Sequence, residues 1–385
     1  MRDFPNLWLQ FSDHSMITGI SGPHGTGNEN MLKTRGYAAA TAGAQLVPFD
    51  FERRDPRAED VVIEITHAGI CHSDIHQVRE EWGSSLFPMV PGHEIVGKVI
   101  SVGTNVSKFA VGAIVGVGVF VDSCRKCENC LAGVEQYCLE GMTGTYNGLE
   151  RDGVTVAQGG YSKVIVVAED YVVNIPANLE LANVAPLLCA GITLYSPLRH
   201  WNAGPGKKVA ILGLGGLGHM GVKYAKAMGA EVTVFSHSPE KRDDALSMGA
   251  THFVAKAGPE DFKKLAKTFD LILNTVSVDL NLEDYLGMLK LDGTLVLIGL
   301  PGAPYSVPAG VLLGQRRRLA GSMIGGVNEL QEMLNFSGEH NITSDVEVID
   351  PEYINTAWDR TVKSDVKYRF VIDVSKIANS RNQSC

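Results

Sequence analysis

A two-domain α/β chain, with one β-rich domain and one doubly wound parallel sheet, follows from three observations. The first is length: 385 residues, at about 150 residues per domain, make two or at most three domains. The second is a series of short β-branched runs between Tyr37 and about Pro176, separated by Gly, Pro and Asn, which is the texture of a β-rich domain. The third is a change of texture from about Cys189, where strand-like runs alternate with helical patterns. That alternation builds right-handed βαβ crossovers and a parallel sheet covered on both faces.

In chain order, residues 1–30 stand apart. The Ser/Gly/His/Asn-rich run from Thr18 to Asn30 has no apolar periodicity, and the cluster Phe4, Leu7, Trp8, Leu9, Phe11 is broken by Pro5 and lacks the features of a secretory signal. The expectation is a flexible leader, with the working domain beginning near Met31. Val61–Ile65, Glu94–Val102, Ala113–Val121 and Tyr161–Val167 are predicted strands of the first domain. Lys208–Leu212, Glu231–Phe235, Phe269–Asn274 and Thr294–Ile298 are predicted buried strands of the second, with helices at Gly216–Met228 and Glu240–Met248 between them. Beyond about residue 328, a helix at Glu329–Phe336 and a strand at Arg369–Val374 are expected to return to the first domain.

Composition narrows the function classes. The chain is 45% hydrophobic and 20% charged and has no apolar stretch of about 18 residues and no charge blocks, so membrane-spanning and disordered readings fail. Basic side chains number 34 against 43 acidic, a net charge of -9, which argues against a nucleic-acid partner. The one basic cluster, Gly314 to Arg318, reads as a solvated turn. The 42 glycines exceed the usual ~7% and suit tight turns and close backbone approaches. Of the 7 cysteines, four fall between 124 and 138. That pattern suits metal ligation in a reducing compartment, with the cytoplasm as the expected location.

Cys124, Cys127, Cys130 and Cys138 lie in one loop rich in charged residues. Four thiolates this close in sequence can surround a tetrahedral zinc ion and leave no open position; scattered thiols and an iron–sulfur cluster are the alternatives. Arg125 and Lys126 are expected to temper the negative charge of such a site. A second set comes from distant positions: Cys71, the pair His93–Glu94, and Cys189. Two thiolates and one neutral imidazole would neutralise Zn(II) and leave a fourth position for reacting oxygen, with Glu94 able to enter or leave the shell. Taken singly, Cys189 reads as a buried thiol and His93 as a satisfied core histidine.

Gly213, Gly215 and Gly218 form G-x-G-x-x-G after a predicted strand and at the opening of a predicted helix. In that context the backbone can approach a pyrophosphate, and the helix N-terminus favours its charge. The whole run from Met31 to about Ser375 resembles a zinc-dependent medium-chain dehydrogenase/reductase, in the cinnamyl-alcohol-dehydrogenase-like branch that includes bacterial broad-range aldehyde reductases. The resemblance is carried by Ala-Gly-Ile-Cys-His-Ser-Asp-Ile-His at 68–76, Pro-Met-Val-Pro-Gly-His-Glu at 88–94, the four-cysteine loop and Leu-Cys-Ala-Gly-Ile-Thr at 188–193. Gly-Leu-Gly-Gly-Leu-Gly-His-Met-Gly at 213–221 and Gly-Ser-Met-Ile-Gly-Gly at 321–326 complete it.

The resemblance implies a GroES-like domain at 31–189 and 328–385, a Rossmann domain at 190–327, two zinc ions per chain, NADP(H) and a homodimer formed near Gly299–Leu313. It implies Cys71, His93 and Cys189 as catalytic-zinc ligands with Glu94 as exchangeable fourth, and Ser73 and His76 as a proton relay. Cofactor contacts are implied at His72, Gly213, Gly215, Gly216, Leu217, Gly218, Ser322 and Ile324. Trp82 and Tyr146 are candidate pocket aromatics. At the end of the second Rossmann strand, where an acid would bind the NAD ribose, stands Ser236. Ser236, His237 and Ser238, with Lys241 and Arg242, can receive a 2′-phosphate instead; for the two basic residues, a solvated helix face is the alternative. The implied activity is reversible hydride transfer between NADP(H) and a primary alcohol/aldehyde pair, favouring reduction. The rival readings are a zinc-bearing NAD-linked polyol dehydrogenase and a zinc-free quinone-reductase-like binding protein on the same fold.

Overall fold

The computed structural model describes residues 32–379; the expected leader lies outside the described residues. Packing divides them into two units, one of residues 32–175, 348–365 and 370–379, the other of 176–347 and 366–369.

The first unit centres on strand Asp60–Gly69. Along one edge it pairs antiparallel with Ile95–Val102. Along the other it meets Val164–Ala168 through residues 60–64 and the returning strand Arg369–Asp373 through residues 67–69. The predicted strand at 113–121 is two pieces, Ile114–Val117 and Phe120–Asp122. The register Ala68↔Ile95 puts the end of the central strand beside the start of its neighbour. Cys71 leaves the first and His93–Glu94 lead into the second, so an antiparallel ladder brings together residues over twenty positions apart.

The second unit is a six-stranded sheet in the order 252–255, 231–236, 208–212, 269–274, 289–297, 318–321. Its strand pairings are all parallel among the described residues. Its central strands are continuous apolar runs because both faces are covered: Val209 to Leu212 are all buried, as are Leu271 to Asn274. Ala210, Leu212, Phe235, Phe269, Ile272 and Leu295 share one core cluster. Removing any of its large side chains would cost about 2–5 kcal/mol. Two strands of this sheet, His252–Ala255 and Arg318–Gly321, were not expected from the sequence.

The expected boundaries at 189/190 and 327/328 differ from this division, and the reason is packing. Helix Val327–His340 docks on helices Ala190–His200 and Gly218–Ala227 of the second unit. Tyr224 Oη lies 2.8 Å from Ser337 Oγ, and the Tyr195 hydroxyl donates to Glu332 at 2.9 Å. The two tyrosine rings meet edge to face at 5.5 Å. Of the two expected tail elements, the helix stays with the second unit and the strand at 369–373 returns to the first, as do residues 348–365.

The basic cluster is likewise structural. The Arg317 guanidinium donates to the carbonyls of Leu289, Val311 and Gly287 at 3.0, 2.8 and 3.1 Å, and Arg316 pairs with Asp292. Among the described residues, no single helix is long and apolar enough to cross a membrane.

Candidate active site and zinc sites

Cys71 caps the short helix His72–Val78, whose third residue, Asp74, is completely buried. Its carboxylate is the hub of the first unit's site. Oδ2 accepts from the Cys71 N–H at 3.0 Å and the Tyr161 hydroxyl at 2.8 Å; Oδ1 accepts from the Gly92 N–H at 3.2 Å and lies 3.0 Å from His93 Nδ1. A carboxylate so placed fixes the imidazole with its proton on Nδ1. The opposite nitrogen, Nε2, is buried without a hydrogen-bond partner, an arrangement that suits a metal ligand. Burial works against a charged His93, but the Asp74 charge and hydrogen bond outweigh it and hold its pKa well above the usual value.

Metal-ligating atoms of Cys71, His93 and Glu94 lie within 4.8 Å of one another. Glu94 is completely buried, and Gly69 is what makes room for it: a Cβ there would sit 2.0 Å from Glu94 Oε2. Cys189 belongs to the second unit, where it is buried at the start of helix Ala190–His200.

Ser73 Oγ lies 3.5 Å from Cys71 Sγ. His76, three residues on along the same helix, has Nδ1 against the Glu81 carboxylate and its ring stacked 4.7 Å from Trp82. His72 is exposed, with its ring 5.8 Å from that of His76. Tyr146 stacks on His93 at 5.8 Å. Burial, with the nearby Asp74 charge, raises the Tyr146 and Tyr161 phenols well above their usual pKa.

In the four-cysteine loop all four sulfurs lie within 4.8 Å of one another. The N–H groups of Cys124, Cys127 and Leu139 point at the sulfurs of Cys138, Cys124 and Cys127 at 3.3, 3.3 and 3.4 Å. Arg125, with φ of 60°, supplies the left-handed turn inside the first Cys-x-x-Cys. The backbone donor from Leu139 helps lower the Cys127 thiol to about 6, whereas burial pushes Cys130 up to about 12. Four sulfurs this close ionise together only around a cation, which fits a closed zinc site. The basic residues divide differently from the sequence expectation. Arg125 is engaged by Asp122 and Asp170, and Lys126 by Glu140. Among the described residues it is Arg151 whose guanidinium approaches a sulfur, 3.8 Å from Cys138.

In the second unit the glycine-rich loop leaves the carboxyl end of strand Lys208–Leu212. Gly213 has φ of 93°, and a Cβ on Gly218 would lie 2.0 Å from the Gly213 carbonyl oxygen, so both positions need glycine. A Cβ on Gly215 would meet nothing within 4 Å, which leaves open space beside the loop for a pyrophosphate. Strand Glu231–Ser236 ends at Ser236, whose Oγ accepts from the Ser238 N–H at 3.1 Å. Ser322 and Ile324 follow the last strand, and Ile324 is buried with φ of 41°. A β-branched residue there is a conformational outlier of the kind that gathers at functional sites.

The alcohol dehydrogenase GroES-like domain family matches residues 57–177, and the zinc-binding dehydrogenase family matches 216–339. The chain is 59% identical to NADP-dependent alcohol dehydrogenase C 1 of Mycolicibacterium smegmatis, over 90% of this chain and 99% of that one. It is 52% identical to the aldehyde reductase YahK of Escherichia coli, over 89% and 98%. The structure of CAD from Helicobacter pylori complexed with NADP(H) superposes with a TM-score of 0.84 at 42% identity, covering 90% of this chain and 99% of that chain.

The chain is a zinc-dependent medium-chain dehydrogenase/reductase.

Within this dehydrogenase, three positions escaped sequence reasoning. Asp74 sits inside Cys-His-Ser-Asp; its burial is the signal, and burial is not written in a hydrophilic tetrapeptide. Tyr161 and Arg151 reach their partners only through tertiary contact. Lys241 also departs from expectation: it ends a short 3-10 turn, not the following helix, and its ammonium donates to the Leu214 carbonyl at 2.9 Å. Arg242 opens the helix and contacts the Phe253 carbonyl at 3.4 Å.

Proposed function

We propose that this dehydrogenase reduces aldehydes to primary alcohols with NADPH, over a broad aromatic and aliphatic range, and catalyses the reverse oxidation. The observation that carries this reading is the buried His93, clamped through Nδ1 by Asp74 with Nε2 unpartnered beside Cys71. Cys71, His93 and Cys189 would hold the catalytic zinc, with Glu94 as the exchangeable ligand. Bound zinc supplies Lewis acidity toward the carbonyl oxygen, and NADPH supplies the hydride. Two thiolates and a neutral imidazole balance the metal's charge, and Asp74 keeps the imidazole in the tautomer that ligation requires.

Proton movement falls to the chain's own residues. Ser73 donates the proton that completes the alcohol, and His76, on the same helix face, restores it from solvent. Glu81 and Trp82 hold the His76 ring in place, which supports that role. His72 would contact the cofactor phosphates, together with the loop N–H groups from Gly213 to Gly218, and Ser322 and Ile324 would line the nicotinamide end.

Preference for the 2′-phosphate rests on Ser236, His237, Ser238, Lys241 and Arg242, with no carboxylate from Val232 to Pro239. The same reading extends to a homodimer, supported by exposed Leu300 and Leu313 near the edge strand Arg318–Gly321. It also extends to the cytoplasm, supported by six described cysteines that form no disulfide. Metal analysis with an aldehyde panel under both nicotinamides tests the reading. Two zinc ions per chain and turnover with NADPH are expected. No turnover with either nicotinamide in the two-zinc protein would overturn it.

A further inference from the structure

His219 follows the glycine motif as the second residue of helix Gly218–Ala227 and is completely buried. Its ring is held on three sides. Nδ1 is 3.0 Å from the Gly215 carbonyl oxygen, Nε2 is 2.9 Å from Ser344 Oγ, and the face stacks on Tyr368 at 5.1 Å with planes 13° apart. A carbonyl only accepts, so Nδ1 carries the proton and Nε2 accepts from the serine hydroxyl. Burial drives the imidazole's pKa down to about 3, so it stays neutral and keeps this tautomer.

The Gly215 carbonyl does not stand alone. The Leu214 carbonyl accepts from Lys241 Nζ at 2.9 Å, and the Gly216 carbonyl lies 3.5 Å from Arg369 Nη1. Arg369 also packs directly on Gly216, where a Cβ would sit 2.9 Å from its Cδ. Three successive carbonyls of the glycine loop are therefore each engaged by a side chain. In a trans peptide the C=O and the following N–H point in opposite directions. The Gly215 oxygen also accepts the His219 backbone N–H at 3.1 Å, so side chain and helix start hold it together, and drawing these oxygens to Lys241, His219 and Arg369 turns the N–H groups of Gly215, Gly216 and Leu217 the other way. Among the described residues those three N–H groups make no hydrogen bond.

We propose that His219 is a positioning residue for the dinucleotide pyrophosphate, holding the Gly215 peptide so that the loop presents its N–H groups to the phosphates. This rests on the NADP(H) reading above. It assigns to a fully buried histidine a share of cofactor affinity.

The test compares two variants of the zinc-loaded protein. Asn places its amide nitrogen near the position of Nδ1, and Gln places it near Nε2. His219→Asn therefore keeps the donor to Gly215, and His219→Gln loses it. NADPH binding is measured by titration calorimetry without aldehyde, beside adenosine 2′-phosphate, which has no pyrophosphate.

His219→Gln should weaken NADPH about tenfold, the equivalent of about one hydrogen bond to a charged group. Adenosine 2′-phosphate should be unaffected, and His219→Asn should stay within about twofold of wild type. In turnover, the loss should appear in KM for NADPH and not in kcat. Equal NADPH affinity in the two variants, or a parallel fall for adenosine 2′-phosphate, would overturn the proposal. Should His219→Gln fail to fold, Ser344→Ala, which frees the ring at Nε2, must raise the NADPH Kd in the same selective way, and an unchanged Kd refutes the proposal. Wild-type protein that binds NADPH yet reduces no aldehyde would count against the proposed activity alone, leaving this inference to be judged on its own binding data.

Discussion

Replacing Asp74 with Asn removes a charge but little volume, and so isolates what the buried carboxylate does. Four donors converge on it: Cys71 N–H, Tyr161 O–H, Gly92 N–H and the Nδ1–H of His93. An amide offers only one acceptor oxygen. If its NH2 faces the Oδ2 side, Tyr161 can rotate its hydroxyl to accept, but the Cys71 N–H is orphaned, at a cost of about 1–3 kcal/mol. The two bonds remaining on the Oδ1 side lose charge assistance, about 1 kcal/mol each. Relief from burying a carboxylate offsets part of this, leaving a net destabilisation of about 2–4 kcal/mol. His93 also loses the partner that fixes its tautomer, which should lower zinc affinity at the reactive site about 10–100-fold. Urea unfolding monitored by circular dichroism gives the first quantity, and competition with a chromogenic chelator the second. The four-cysteine zinc should be retained. If Asp74→Asn unfolds within about 0.5 kcal/mol of wild type and keeps both zincs equally well, the hub has been assigned a role it does not have.

Cys189→Ser should abolish aldehyde turnover while leaving one zinc per chain and a native circular dichroism spectrum; near-wild-type activity would mean Cys189 is merely a buried thiol. Ser236→Asp should erode or reverse the NADPH preference, chiefly through the cofactor KM, as read from kcat/KM for both cofactors with one aromatic aldehyde. A wild-type enzyme that uses both equally would defeat that assignment. Arg54 pairs with buried Asp60. Burial opposes the charged form of Asp60, but bonds from Arg54 and the Arg57 N–H outweigh it and depress its pKa. The stability this supplies is present above the unfolded value of about 3.9 and lost as pH falls through the folded one. Arg54→Met should thus be clearly destabilising at pH 7, with the gap to wild type closing in acid below about pH 4; a pH-independent gap would show that the pair acts by packing alone.

How much was legible depended on how local each feature is. The four-cysteine loop could be read as a candidate metal-binding set because its cysteines are close in sequence. The G-x-G-x-x-G motif could be read with its strand and helix because glycine's freedom and the apolar run before it are local signals. Strands Lys208–Leu212 and Phe269–Asn274 appear as expected because parallel strands buried on both faces must be unbroken apolar stretches. His252–Ala255 and Arg318–Gly321 were missed because four-residue edge strands, half exposed, carry no such run.

By itself, then, the sequence determined the chemistry available: thiolates, an imidazole, a glycine turn and a strand end without an acid. Tertiary structure alone decided which groups those residues answer to. That Asp74 clamps His93, that Arg151 and not Arg125 approaches a zinc-loop sulfur, that Lys241 reaches the Leu214 carbonyl, and that residues 328–347 pack with the second unit are all outcomes of contact between distant segments. The physical reason is that an amino-acid pattern records periodicity and local conformation, whereas a hydrogen bond across tens or hundreds of residues exists only once the intervening chain has been packed.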